Sequence, residues 1–408
     1  MKYLLIIGDG MADDPVPSLD NKTPLQAANI PTIDSLAAAG VLGSVRNCPD
    51  GFPPGSDTAI MSIFGCAPAK CYSGRAPLEA AAVGLLLSPG DAAFRCNMVS
   101  LSENAPFRDR TILSHSAGSI EGVESIELIN WLFAQPRFAE AAARARVSIN
   151  PAASFRHIAV RKQAALGGIV LPPPHDHLGE LVGDNLPRGC EDAALLLALM
   201  ELACELMDHA PINEQRRARG KQPANAIWFW AEGTAAALPN FAESYGHTGV
   251  MVSAVPLCQG IARLVGLDTV EVEGANGEWD TNYEGKVQAA IDALKTQDFV
   301  AVHLEGPDEA THNGQLREKI QAIEWLDSRV VAPLCSLLRD MGEDFRMLIL
   351  SDHKTLTSTR AHDGTPVPYI LYDSRVSTGS GLPYTEENGE KGPLLAAGTD
   401  LMPALFEL

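Results

Sequence analysis

The stretch Phe299 to Gly314, FVAVHLEGPDEATHNG, decides the fold. Its opening apolar run, Phe299-Val300-Ala301-Val302, has the length and composition of a buried central strand, and Gly306-Pro307 ends it. Asp308 and His312 follow four residues apart. A helical turn beginning after Pro307 therefore sets both side chains on one face, about one turn apart. A carboxylate and an imidazole just past the C-terminal end of a strand form half of a metal site. The other half must come from elsewhere.

Both ends of the chain offer it. Tyr3 to Gly10 (YLLIIGDG) is an apolar strand that ends on Asp9, and Arg346 to Leu350 (RMLIL) runs into Ser351-Asp352-His353. Further on, His362 and Asp363 sit in a Gly- and Pro-flanked loop ahead of a strand at Pro368 to Tyr372. In a parallel sheet such strand ends emerge at one edge, where ligand sites form. Asp9, Asp308, His312, Asp352, His353 and His362 together give three carboxylates and three imidazoles, the complement of a two-metal centre. An Asp after a strand is by itself often a helix cap, and a lone Asp-x-x-x-His is common. The conjunction of three strand ends carries the reading.

Composition sets limits. The chain has 408 residues, 46% hydrophobic and 20% charged, enough for a large core and two domains. A net charge of −20 speaks against a nucleic-acid partner, which needs a basic surface. Eight cysteines lie scattered without Cys-x-x-Cys pairs and read as reduced core residues of a cytoplasmic protein. Met1 to Ile7 reads as a strand rather than a signal peptide, and no apolar run approaches membrane-spanning length.

The second informative stretch is Pro53 to Ser62 (PPGSDTAIMS), which places Ser56 at the turn before a helix. A hydroxyl there feels the positive end of the helix dipole, which favours an alkoxide or a phosphoester. Alone it is a plain N-cap serine; beside two metals it is a candidate nucleophile. Arg75, in a Gly- and Pro-bounded loop, is available for an anionic group or is a surface arginine. From Asp91 the character changes, with a strand at Phe94 to Leu101, a polar turn bearing His115, and a strand at Phe155 to Val160 bearing Arg156. A polyproline-like arm at Leu171 to His177 presents His175, Asp176 and His177. Residues 91–184 read as an inserted α+β cap facing the substrate, and 1–90 with 185–408 as the core. Helices are expected at Glu191 to His209, Leu257 to Val265, Tyr283 to Leu294 and Glu318 to Leu338, and a basic surface loop at Asn213 to Pro223. Strands alternating with helices over most of the chain indicate an α/β, doubly wound, mostly parallel sheet.

These segments resemble the archaeal-type cofactor-independent phosphoglycerate mutases, including a bacterial branch proposed to act as homoserine kinase, within the alkaline-phosphatase superfamily. The match runs through IIGDGMAD at the start, PPGSDTAIMSIFG, YSGRAPLEAA, Ser116 to Gly118, the PHD at His175, DTNYEGK at Asp280, PDEATHNG, SDH and the His362 loop. The resemblance implies one divalent ion held by Asp308, His312 and His362, and a second by Asp9, Ser56, Asp352 and His353. It implies manganese as the typical metal, with zinc, cobalt or magnesium as alternatives, and a serine that takes up a phosphoryl group and returns it to another hydroxyl of the same substrate. Arg75, Arg156, His175 and Asp176 would hold the substrate, with His115 assisting. The partner implied is a small phosphorylated metabolite, with no nucleic acid and no membrane, for a monomer or homo-oligomer. Two departures stand out. Gln259 replaces a lysine usual in relatives, and Ala231 to Ala235 (AEGTA) carries no positive charge where relatives tend to place one. The expected activity is interconversion of 3- and 2-phosphoglycerate through phosphoserine at Ser56. The alternatives are phosphoryl transfer or hydrolysis on another small metabolite such as homoserine, and a non-catalytic metal-binding paralogue.

Overall fold

The computed structural model describes residues 1–376 and 379–407. The chain divides into two compact units, Met1–Tyr72 with Ala237–Leu408, and Ser73–Ala236.

The first unit is built on an eight-stranded sheet. Its strands run in the order Leu394–Leu395, Val41–Val45, Val367–Asp373, Phe345–Leu350, Lys2–Gly8, Phe299–Leu304, Gly249–Val252 and Asp268–Val270. Lys2–Gly8 lies at the centre, parallel to both Phe299–Leu304 and Phe345–Leu350. Strands covered on both faces read as unbroken apolar runs, and Leu4 to Ile7 are fully buried. Gly8 pairs with Leu304 and Ile7 with Leu350, so the three strands end at one level. That register delivers Asp9, Glu305 and Ser351 together, with Asp308 and Asp352 just beyond.

Val367–Asp373 runs antiparallel to Phe345–Leu350. It therefore starts at the edge where the others finish, and the connection stays there. The loop expected around His362 is instead a two-stranded ribbon, Lys354–Leu356 against Ala361–Asp363, with Thr355 opposite His362. The ribbon fixes His362, which a free loop would not. The expected helix at Glu318 to Leu338 is present, with a π-helical turn, Leu326–Val331, between Leu316–Trp325 and Ala332–Asp340. In that turn Asp327 accepts a hydrogen bond from the Ile33 N–H at 2.6 Å. No helix among the described residues is long and apolar enough to cross a membrane.

The second unit is an antiparallel sheet centred on Ala92–Leu101, which pairs with Arg156–Arg161 on one side and Ala226–Thr234 on the other. It is wider than the 91–184 insertion expected from sequence. The helix Arg75–Ala82 packs on Ala92–Leu101 and Ala226–Thr234, and the helix Glu191–Met207 covers Ala226–Thr234. The helix Glu191–Met207 and the Trp-Phe-Trp strand thus join one core, around Phe94, Trp228, Phe229, Leu196 and Met200, while Ala76 and Ala80 of the helix Arg75–Ala82 pack with Ala93 and Ile158 in a smaller cluster. A second correction concerns Asn213 to Pro223, expected as a loop. Pro211–Ala218 is a helix whose Arg216 is buried, donating to the carbonyls of Ala117 (2.8 Å) and Gln222 (2.9 Å) and to Glu124 (2.5 Å). Internal partners for one arginine make a hydrophilic sequence part of the core.

His157, fully buried on Arg156–Arg161, accepts the Ala152 N–H on Nδ1 at 2.9 Å, which fixes the loop leading to Arg156. Burial pushes its pKa down from 6.5 to about 4. The unfolded chain therefore binds the extra proton first as pH falls. The contribution is complete above about pH 6.5 and lost progressively toward about pH 4, on the order of 3 kcal/mol in all. Urea unfolding across that range will show stability falling with acid. His157→Gln keeps an acceptor that cannot be protonated, and will show a shallower slope; an unchanged slope would contradict the assignment.

Candidate metal centre

Six side chains meet at the sheet edge in two groups: Asp308, His312 and His362, and Asp9, Asp352 and His353. Within each group the potential ligand atoms all lie within 4.8 Å of one another. Asp9, Asp308, Asp352 and His353 are buried; His312 and His362 are partly open.

The hydrogen bonds set the tautomers. His312 Nδ1 lies 2.9 Å from the Arg360 carbonyl, His353 Nδ1 3.2 Å from the Lys354 carbonyl, and His362 Nδ1 3.3 Å from the Pro54 carbonyl. A carbonyl only accepts, so each Nδ1 carries the proton and each Nε2 presents a lone pair. His312 Nε2 and His362 Nε2 then face each other at 2.9 Å, near Asp308 Oδ2 (3.2 Å from His312) and Oδ1 (3.4 Å from His362). Two lone pairs at that separation repel unless a proton or a cation lies between them. In the second group, Asp9 Oδ1 and Asp352 Oδ2 are buried without a hydrogen-bond partner. An orphaned buried carboxylate oxygen is costly, and two that converge with an imidazole lone pair are a donor set for a cation.

The electrostatics agree. Burial raises the Asp9 pKa well above the usual range, and the charges of Asp352, Asp308 and Glu305 add to it. Burial also opposes ionisation of Asp308, but hydrogen bonds with His312 and His362 outweigh it and hold the group ionised. Where no cation lies between the two Nε2 atoms, the Asp308 hydrogen bond pushes His312 up to about 9, so a proton takes that place on Nε2. Among the described residues no lysine or arginine hydrogen-bonds to Asp9, Asp308 or Asp352. Buried negative charge that only imidazole protons offset is a place for an external cation.

Ser56 opens the helix Ser56–Ile63, with Oγ 3.1 Å from His353 Nε2 and 3.3 Å from Asp9 Oδ2. The serine stands within the second group and at a helix N-terminus. All seven side chains singled out in the sequence for metal and nucleophile thus lie together.

A family model described as the metalloenzyme superfamily matches residues 1–407. The chain belongs to the metalloenzyme superfamily. Its divalent-metal chemistry fits the two donor groups. A 2,3-bisphosphoglycerate-independent phosphoglycerate mutase from Methanosarcina acetivorans is 43% identical over 412 residues, covering all of both chains. A probable mutase of the same name from Geobacter sulfurreducens is 42% identical over 413 residues, again covering all of both. Among solved structures, the PH0037 protein from Pyrococcus horikoshii matches with a TM-score of 0.81 at 31% identity, over 100% of this chain and 97% of that one. A cofactor-independent phosphoglycerate mutase from Thermoplasma acidophilum matches at 0.70 and 28% identity, over 100% and 99%.

The substrate residues expected from sequence lie in the second unit. His115, His175 and Arg156 gather around Trp230. The His175 ring centroid is 5.0 Å from that of Trp230 and 6.1 Å from that of His115, and the Arg156 guanidinium lies 5.8 Å from the Trp230 ring. Arg156 Nε is buried without a partner, and burial followed by the Arg95 charge lowers its pKa. This is a cationic group short of an anion. Arg75 is different: it is half exposed and already paired with Glu79 at 3.3 Å, which also binds Arg95. Asp176 is exposed, 3.5 Å from His175. His177 turns to Glu180 at 3.0 Å, so the His-Asp-His triplet does not converge. Gln259 donates to the Ser253 carbonyl at 2.7 Å.

Sequence reasoning missed the supports. Thr355 Oγ1 donates to Asp308 Oδ1, and Lys319, fully buried, donates to the Thr355 carbonyl at 2.7 Å and to Asp13 at 2.8 Å. Asn47 donates to the carbonyls of Ser351 (3.1 Å) and Asp352 (2.9 Å). His303, fully buried in the strand quoted at the outset, lies 3.0 Å from Asp9 Oδ2. Its signal was legible: an imidazole inside an otherwise apolar strand.

Gly10 has φ +59°, and a Cβ there would run into Thr355 and Asp308. Gly10→Ala will cost more than about 1 kcal/mol from backbone strain alone and will separate the two groups. The wild-type protein will melt at a higher temperature with Mn²⁺ than with a chelator, by about 3 kcal/mol of added stability at a hundredfold excess over the dissociation constant. Gly10→Ala will lose that increment. Equal melting with and without metal in the wild type would contradict the assignment.

Proposed function

We propose that the chain is a metal-dependent 2,3-bisphosphoglycerate-independent phosphoglycerate mutase that interconverts 3- and 2-phosphoglycerate through phosphoserine at Ser56. The observation that carries the reading is Ser56 Oγ at the first turn of a helix, within hydrogen-bond reach of His353 Nε2 and close to Asp9 Oδ2. Full-length relatives bearing that activity support it.

Asp308, His312 and His362 would hold one divalent ion, and Asp9, Asp352, His353 and Ser56 a second. Mixed imidazole and carboxylate donors suit manganese, with zinc, cobalt or magnesium as the other candidates. When bound, the ions supply Lewis-acid charge that lowers the serine pKa and neutralises the transferring phosphoryl group. The chain's own residues do the rest. Asp9 and His353 hold the Ser56 hydroxyl at one position, and the helix N-terminus favours the negative charge that builds on Oγ. Ser56 Oγ gives up its proton and forms its bond to phosphorus as the bond from phosphorus to the substrate's C3 oxygen breaks, and that oxygen takes a proton. The C2 hydroxyl then loses a proton and attacks the phosphoserine, and the freed Ser56 Oγ takes a proton back. We assign substrate holding to Arg156, His175 and His115, with Arg75 and Asp176 at the periphery. The unpartnered, stacked Arg156 is the group best suited to a carboxylate or phosphate. The eight free cysteines fit a reducing cytoplasm.

A second reading is favoured by Gln259, which is neutral and spends its amide on the Ser253 carbonyl. It is phosphoryl transfer to or from another small hydroxylated metabolite, with homoserine the candidate substrate.

The deciding assay follows conversion of 3- to 2-phosphoglycerate by metal-stripped protein reloaded with Mn²⁺, with no bisphosphoglycerate added. Turnover will require the metal, and Ser56→Ala will lose at least a thousandfold, roughly 4 kcal/mol. Full activity in Ser56→Ala would remove the phosphoserine route. A folded, metal-loaded protein without turnover, but active on homoserine, would establish the second reading.

A further inference from the structure

Three imidazoles at the sheet edge donate Nδ1–H to main-chain carbonyls and turn Nε2 into the donor groups. His303 breaks the pattern. It is fully buried, its Nε2 lies 3.0 Å from Asp9 Oδ2, and its Nδ1 lies 3.1 Å from Ser253 Oγ. Ser253 Oγ already accepts the Val255 N–H at 3.1 Å, so its own hydrogen is free to go to His303 Nδ1. Nε2 then carries the ring proton, the only arrangement that matches a carboxylate acceptor. A chain of donors runs from Val255 N–H through Ser253 and His303 to Asp9.

The consequence lies in which oxygen of Asp9 is left. Oδ2 is engaged by His303, with Ser56 Oγ 3.3 Å away, whereas Oδ1 is buried and has no hydrogen-bond partner. Without His303 the carboxylate can rotate about its last bond and exchange its oxygens. With His303 it presents Oδ1 alongside Asp352 Oδ2 and His353 Nε2. A neutral imidazole suits this task better than Lys or Arg would, because it orients the carboxylate without cancelling its charge. Gln259 adds a further constraint, since its amide holds the Ser253 carbonyl at 2.7 Å.

We infer that His303, oriented by Ser253, is a positioning residue that sets Asp9 for cation binding at the Asp9–Asp352–His353 group. This rests on the proposal above that the group holds a divalent ion.

The test is calorimetric titration of the metal-stripped full chain with Mn²⁺, with Mn²⁺ electron paramagnetic resonance as a second readout. His303→Leu will weaken one of two sites 10- to 100-fold and leave the other, at Asp308, unchanged. His303→Gln, whose amide nitrogen can stand near the Nε2 position, will recover most of the loss. Ser253→Ala will fall between. A merely structural role would not separate Gln from Leu in metal affinity at equal melting temperature without metal. If His303→Leu does not fold, the Gln and Ala variants carry the comparison. Wild-type affinity at both sites in His303→Leu, or in Ser253→Ala when Leu does not fold, would overturn the inference. Wild-type protein that itself binds fewer than two ions would overturn the underlying metal reading, a different failure seen before any variant is compared.

Discussion

The structure depends on one electrostatic constraint: three aspartates, Asp9, Asp308 and Asp352, are buried at the end of three parallel strands, close enough that the charges of Asp352 and Asp308 act on Asp9. Like charges in a low-dielectric site raise each other's pKa, and Asp9 shows it. A fold pays this penalty only where something compensates, and here histidine lone pairs and orphaned carboxylate oxygens mark the place for cations. The sheet register makes the convergence unavoidable, because parallel strands of equal reach end together.

Around that core, a shell of neutral or internally paired groups holds the ligands still. Thr355 fixes Asp308, main-chain amides of Gly10 and His353 fix one oxygen of Asp352, and carbonyls fix three imidazoles. Lys319 carries a full charge, but Asp13 lies 2.8 Å from it and absorbs it, so it steadies Thr355 without competing for the site. Ligand geometry is thus set by groups that leave the ligand charge intact. The cluster around Trp230 in the second unit has the opposite character, because its Arg156 is stacked on aromatic rings and has no ion-pair partner among the described residues. One unit offers negative charge for metals, the other positive charge for an anion.

Much of this was legible in the sequence because the chemistry-bearing residues sit at the ends of apolar runs. The runs Tyr3 to Ile7, Phe299 to Val302 and Arg346 to Leu350 announce central strands, and each ends on its ligand or just short of it. Less legible were features set by tertiary contacts. The ribbon carrying His362 is too short for alternation to reveal it. The helix Pro211–Ala218 looked like a loop because Arg216 is buried by partners distant in sequence. The second unit was drawn too narrow because its central strand pairs with Ala226–Thr234, more than a hundred residues away, across a long insertion of helices. Arg75 and Glu79 form an i,i+4 pair that helical spacing alone could have suggested.

The central claim is that the hydroxyl placed between Asp9 and His353 carries the phosphoryl group. The most direct measurement is mass spectrometry of peptides from Mn²⁺-loaded enzyme, mixed with 3-phosphoglycerate and quenched in acid during turnover. The account predicts phosphate on the peptide containing Ser56 and on no other serine. Turnover with Ser56 unmodified, or with phosphate on a different residue, would contradict it.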